Sequence, residues 1–172
     1  MATRCITMPL CKCALFSITG FLSCFAVASE NPAPPEINSK IWVTSGFLSY
    51  HPNRKANYNE RNTGFGLEYH LNDESALTIG HYRNSVRKDT TYLEYIYTPL
   101  KIGNVRLGGA AGVLDGYPYL NHGKYAPVLM PVATVTFRIF DRNVGINAVY
   151  IPSLIPRVDS SVAIQFKFAV DN

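Results

Sequence analysis

Four cysteines, four histidines and a set of hydroxyl side chains are the groups in this 172-residue chain that nucleophilic, acid–base or metal chemistry would use. The cysteines drop out by position. Cys5, Cys11, Cys13 and Cys24 share a segment with basic Arg4 and Lys12, an apolar run from Ala14 to Val27 and a closing Ala26-Val27-Ala28. A basic start, a short apolar run and a small-x-small triplet make a secretory signal peptide, so residues 1–28 are expected to be cleaved, leaving an exported chain without thiols. Among the histidines, His81 and His122 have no partner at metal-ligand spacing, and His70 falls on the polar face of a strand as a hydrogen-bonding residue. There is no Gly-x-Ser-x-Gly elbow, no phosphate loop and no internal repeat, and neither a metal nor a cofactor is expected. Three prolines carry a physical meaning of their own. Pro127, Pro131 and Pro152 each remove a ladder donor near the start of one candidate strand or the end of the next. Two neighbouring strands that cannot hydrogen-bond there could open sideways.

Those prolines need a sheet to act on, and the composition and periodicity describe one. The chain is 47% hydrophobic and 16% charged, against roughly 25% charged in ordinary soluble domains. Its net charge of +4 is modest and scattered, which excludes a nucleic-acid surface. After a leader over 29–40 that holds Pro32, Pro34 and Pro35, the hydrophobic period is two. Eight strands are expected: Ile41 to Tyr50, Thr63 to Leu71, Ser75 to Asn84, Thr90 to Leu100, Val105 to Asp115, Val128 to Phe140, Val144 to Ile151 and Ser161 to Val170. Phe65, Leu67, Tyr69 and Leu71 oppose Gly64, Gly66, Glu68 and His70, and Val162, Ile164, Phe166 and Phe168 oppose Ala163, Gln165 and Lys167. Each strand is two-faced.

Period two alone leaves open which face is inside, since a soluble lipocalin-like barrel turns its apolar face inward and a membrane barrel turns it outward. Strand length, connections and aromatics favour the membrane. Most strands approach the roughly 9–11 residues that cross a bilayer at a tilt. Short connections (72–74, 101–104, 141–143) alternate with longer ones (51–62, 116–126, 152–160), with 85–89 between the two in length, as periplasmic turns and outer loops do. Tyrosines, 11 in all, gather near strand ends at Tyr50, Tyr69, Tyr92, Tyr97, Tyr117, Tyr119 and Tyr150, as an interfacial girdle requires. Glu68 and Glu94 oppose Arg106, Arg138 and Lys167 as a set that could pair inside a lumen. The expected fold is all-β, an eight-stranded antiparallel up-and-down transmembrane β-barrel over residues 41–172, monomeric and set in the bacterial outer membrane.

Three sequence blocks carry a family likeness. Tyr58-Asn59-Glu60-Arg61 with Gly64-Phe65-Gly66-Leu67, then Ala126-Pro127-Val128-Leu129-Met130-Pro131-Val132-Ala133, then Tyr150-Ile151-Pro152, resemble in order and spacing the lipid A palmitoyltransferase (PagP) family of small outer-membrane barrels. The resemblance spans about Ile41 to Phe168. It implies a lumen that admits one acyl chain of a phospholipid and passes it to lipid A, with proline-flanked gaps between strands as the lateral access, here at Pro127, Pro131 and Pro152.

The resemblance also places candidate catalytic residues. Tyr82-Arg83-Asn84-Ser85 aligns with the family's aspartate-serine pair, keeping Ser85 and putting Asn84 where the aspartate stands. The family's strand-one histidine falls near Thr44 or Ser45, and the nearest imidazole is His51 at the start of the first long loop. A hydroxyl nucleophile needs a base, and the base needs a group that orients or charge-stabilises it. His51 and Ser85 both follow strands that end at the outer rim, with Asp89 as a possible carboxylate. Ile96 occupies the inward position where the family has a glycine, so it would shorten an acyl slot. The proline-broken leader stands in place of the family's amphipathic helix. Phe168 stands in for the terminal aromatic that outer-membrane barrels present to their assembly machinery, with Ala169 to Asn172 beyond it.

Two functions follow as expectations. One is transfer of an acyl chain from phospholipid to lipid A through a modified site. The other is a non-catalytic barrel whose outer-rim Arg54, Lys55, Arg61, Arg87 and Lys88 meet lipopolysaccharide phosphates. A soluble lipid binder of lipocalin type is a third expectation.

Overall fold

A computed structural model describes residues 39–153 and 158–170. The export segment and most of the proline-rich leader lie outside the described residues. Eight strands follow in chain order: β1 (Ile41–Tyr50), β2 (Arg61–His70), β3 (Ser75–Arg83), β4 (Asp89–Ile102), β5 (Val105–Leu114), β6 (Ala126–Ile139), β7 (Arg142–Ile151) and β8 (Ser161–Ala169). All eight overlap the expected runs, with ends that differ by no more than two residues. Each pairs antiparallel with the next and β8 returns to β1, closing an up-and-down barrel. Closure satisfies the backbone donors and acceptors that lipid cannot.

The faces decide the kind of barrel. Outward positions such as Ile41, Phe65, Leu67, Ile79, Leu93 and Phe168 are exposed and apolar, whereas inward Thr44, Glu68, Thr78, Asn147, Gln165 and Lys167 are buried and polar. A soluble lipid-binding barrel has the reverse arrangement, so that expectation is corrected here. Tyr50, Tyr69, Tyr97, Tyr119 and Tyr150 are exposed, as a girdle needs, but Tyr92 faces the lumen and Tyr117 folds back over it. One rim carries tight turns, including Gly103 and the pair Phe140–Asp141, all at positive φ. The other carries the connections 51–60, 84–88, 115–125 and 152–160.

Inside, the half nearer the tight turns is filled. Lys167 Nζ lies 2.5 Å from Glu68 Oε1, His70 Nε2 meets the same oxygen at 2.6 Å, and Asn147 Nδ2 donates to Glu68 Oε2 at 2.8 Å. The Trp42 ring covers Lys167, 5.2 Å from ring centroid to Nζ. The other charges expected in this set go elsewhere. Arg106 reaches Asp73 at 3.5 Å and Arg138 reaches Asp141 at 3.7 Å, both at the tight-turn rim, and Glu94 pairs with none of them. Beside this network an apolar layer of Ala76, Ile96, Ala110, Val132 and Val149 crosses the lumen, with Phe47, Met130 and Ile151 packed on it.

Candidate functional site

Beyond that layer, toward the long loops, the lumen is hollow. The cavity has a volume of about 330 Å³, at the small end of the roughly 300–1,000 Å³ typical of small-molecule sites. Phe47, Leu114, Val128, Met130, Val149 and Ile151 give it a largely apolar wall. Ile96 belongs to the layer that closes it from beneath.

The wall is breached between β6 and β7. The register joining them starts at Val132↔Val149, while β6 stays paired to β5 back to Leu114↔Ala126. Residues 126–131 of β6 therefore have no β7 partner. A proline inside a continuous ladder must sit where its missing N–H would point to the other side. For Pro127 and Pro131 that side is β7. Pro127 and Leu129, both outward and exposed, line the cavity together with inward Val128 and Met130, and Pro152 completes the gap from the end of β7. Pro131 marks where the gap ends.

The mouth is polar. His51 is buried just past β1, with its ring against Tyr58 at 4.4 Å between centroids. The Tyr58 hydroxyl donates to Asp159 Oδ2 at 2.9 Å, and Asn53 Nδ2 donates to the same oxygen at 2.8 Å, so the 152–160 connection is tied across the 51–60 connection. The His51 backbone N–H donates to Glu60 Oε1 at 3.2 Å, and Glu60 also pairs with Arg54. His51 Nδ1 is buried without a hydrogen-bond partner. Burial is the largest influence on the imidazole and lowers its pKa, with the Glu60 and Asp159 carboxylates opposing and Arg54 adding to the drop. His51 is therefore a neutral ring near neutral pH. Burial and Asp159 hold the Tyr58 hydroxyl above its ordinary pKa.

Ser85 lines the same cavity. Its carbonyl accepts the Asn59 N–H at 2.8 Å, and it shares the cavity wall with Tyr117, whose hydroxyl pKa burial raises. Tyr117 in turn lies 3.2 Å, oxygen to oxygen, from Tyr82. The structure thus brings His51 and Ser85 to one cavity and keeps their two expected partners away from it. The Asn84 amide donates to Thr90 Oγ1 and the Gly116 carbonyl, both at 3.0 Å, and its oxygen accepts the Val86 and Lys88 N–H groups. Asn84 fastens the β3–β4 connection. Asp89 is exposed and lies 3.8 Å from Arg83.

Asp159, Tyr58 and Tyr117 are the site residues that sequence reasoning missed, and each stands in a connection without a period. No group of His, Cys, Asp and Glu that could hold a metal ion occurs among the described residues.

Comparison with protein-family models finds no match, and comparison with curated proteins finds none. The solution NMR structure of the de novo designed TMB2.3 does superpose, with a TM-score of 0.52 at 10% identity over 78% of this chain and 96% of the designed one. At that identity the likeness is one of fold, and it joins the outward apolar face and the closed register. This chain folds as a transmembrane β-barrel. The barrel differs from a simple closed wall in the gap beside Pro127 and in the hollow behind it.

Proposed function

We propose that this barrel sits in the bacterial outer membrane, takes the acyl chain of a phospholipid through the β6–β7 gap into its hollow half, and transfers that chain to lipid A. The observation that carries the reading is a lumenal apolar cavity lined partly by residues that face the lipid, Pro127 and Leu129. The resemblance to the lipid A palmitoyltransferase family supports it through the same prolines. Each methylene that leaves water is worth about 0.8 kcal/mol, but a chain already in the bilayer gains little from burial alone. The cavity therefore serves to position the ester at the polar mouth. There, an acceptor hydroxyl gives its proton to neutral His51 as its oxygen bonds to the ester carbonyl carbon. The lysophospholipid oxygen leaves and takes that proton back. Ser85 is the hydroxyl at the reacting carbonyl, and the Asp159 and Glu60 carboxylates favour the imidazolium that forms. Ile96 limits the chain to a short one.

Mass analysis of lipid A from cells making the protein tests this. An added acyl group is expected with the intact chain and its loss with Ser85→Ala or His51→Gln. Unchanged lipid A in the presence of the intact, membrane-inserted protein overturns the transfer.

The exposed Lys55, Arg61 and Lys88 on the long-loop side favour a second reading, a non-catalytic barrel that binds lipopolysaccharide phosphates. Salt-sensitive binding of lipopolysaccharide that survives Ser85→Ala, without any acylation, is its signature.

A further inference from the structure

Two carboxyl groups face the lumen, and only one has partners. Glu68 is held by Lys167, His70 and Asn147. Glu94 is 9% exposed and lines the cavity, yet among the described residues no cation and no hydrogen-bond donor reaches its carboxyl. It lies on the inward face of β4 between Tyr92 and Ile96, above the layer that closes the cavity. Across the β4–β5 ladder its neighbour is Gly112, where a Cβ would fall 2.8 Å from Glu94 Cγ. Lack of a side chain at Gly112 is what gives the Glu94 stem its place on the wall.

A carboxyl buried without donors is costly, and filling the cavity with plain hydrocarbon would strip its remaining water and replace it with nothing. Deeper on the wall, Tyr82 and Tyr117 face each other, and the Tyr92 hydroxyl accepts from Gln165 at 3.0 Å. His51 Nδ1, also without a partner, lies at the mouth, which leaves Glu94 as the open acceptor along the buried length of a ligand. We propose that the cavity selects a chain carrying a hydroxyl along its buried length, with that O–H donating to Glu94. The inference rests on the cavity being an acyl-chain site and adds what kind of chain it takes. A site built around a ligand hydroxyl discriminates against the analogue without it more strongly than an apolar wall discriminates chain length, because the unmatched group stays on the protein.

Isothermal titration of the full barrel folded in non-ionic micelles, with decanoic acid and a series of monohydroxydecanoic acids differing in hydroxyl position, tests the inference. One hydroxyl position is expected to bind roughly ten- to a hundred-fold more tightly than decanoic acid, as one lost hydrogen bond to a buried carboxyl implies. Glu94→Leu should abolish or invert that preference, and Glu94→Gln, which keeps an acceptor of the same shape, should retain part of it. Heat-dependent gel migration checks that each variant is folded. Decanoic acid binding as tightly as every hydroxylated chain overturns the role of Glu94, as does a preference that persists in Glu94→Leu. Failure of both classes to bind overturns the acyl-chain site itself.

Discussion

The two halves of the lumen are built from the same strands and differ in almost every physical respect. Toward the tight turns, Glu68 and Lys167 are each 1% exposed at the side chain and interlocked with His70 and Asn147. Toward the long loops, the wall is largely apolar around a cavity, and inward Glu94 has no partner among the described residues. A barrel of eight strands is just wide enough for its side chains to fill it, so hollowness has to be arranged. Here the hollow lies above the apolar layer around Ile96 and beside a ladder left unfinished next to β7.

That contrast can be broken from the filled side first. Lys167→Met leaves Glu68 buried without its cation and is expected to lower the unfolding free energy by about 3–5 kcal/mol, read by urea titration in lipid bilayers. Adding Glu68→Leu to it should restore most of that loss, since an apolar pair of similar volume removes the unpaired charge. At the boundary, Ile96→Ala is expected to cost about 2–4 kcal/mol and to lengthen the chain the cavity accepts, a shift that a ladder of fatty acids in the titration would show. At the mouth, His51→Gln should change stability little while reducing acyl transfer by roughly 10²–10⁴-fold, the usual contribution of a general base.

The smallest effect is in pH dependence. The folded state holds the His51 pKa below its ordinary value of about 6.5, so as pH falls through that value the unfolded chain takes up the proton first. Stability that depends on neutral His51 is complete above this range and declines on acidification. Comparing unfolding at neutral and mildly acidic pH in the wild type and in His51→Gln should show a shallower decline in the variant.

The strands were legible because one face of most is largely apolar, and period two reports which face a residue is on. It does not report height. The tilt and stagger of a closed barrel decide which inward side chains share a level, so Glu68 meets Lys167, 99 positions away, while Arg106 and Arg138, also read as lumenal, end at the rim with Asp73 and Asp141. For the same reason Glu94 looked like one partner among several and proves to have none among the described residues. The proline gap was legible because a missing N–H is a property of the residue itself. Asp159 was not, because its contact with Tyr58 joins two loops 101 positions apart and neither loop has a period to read.

The unfinished stretch of β6 has a further consequence, for assembly. Residues 126–131 form an edge on the β7 side, and an edge in a membrane is a template on which a second barrel could extend its own sheet. Pro127 and Pro131 offer no N–H on the open side, so an incoming strand would meet alternate positions that cannot donate. The prolines that border the gap also deny the strand of a neighbouring barrel two of the donors it would pair with.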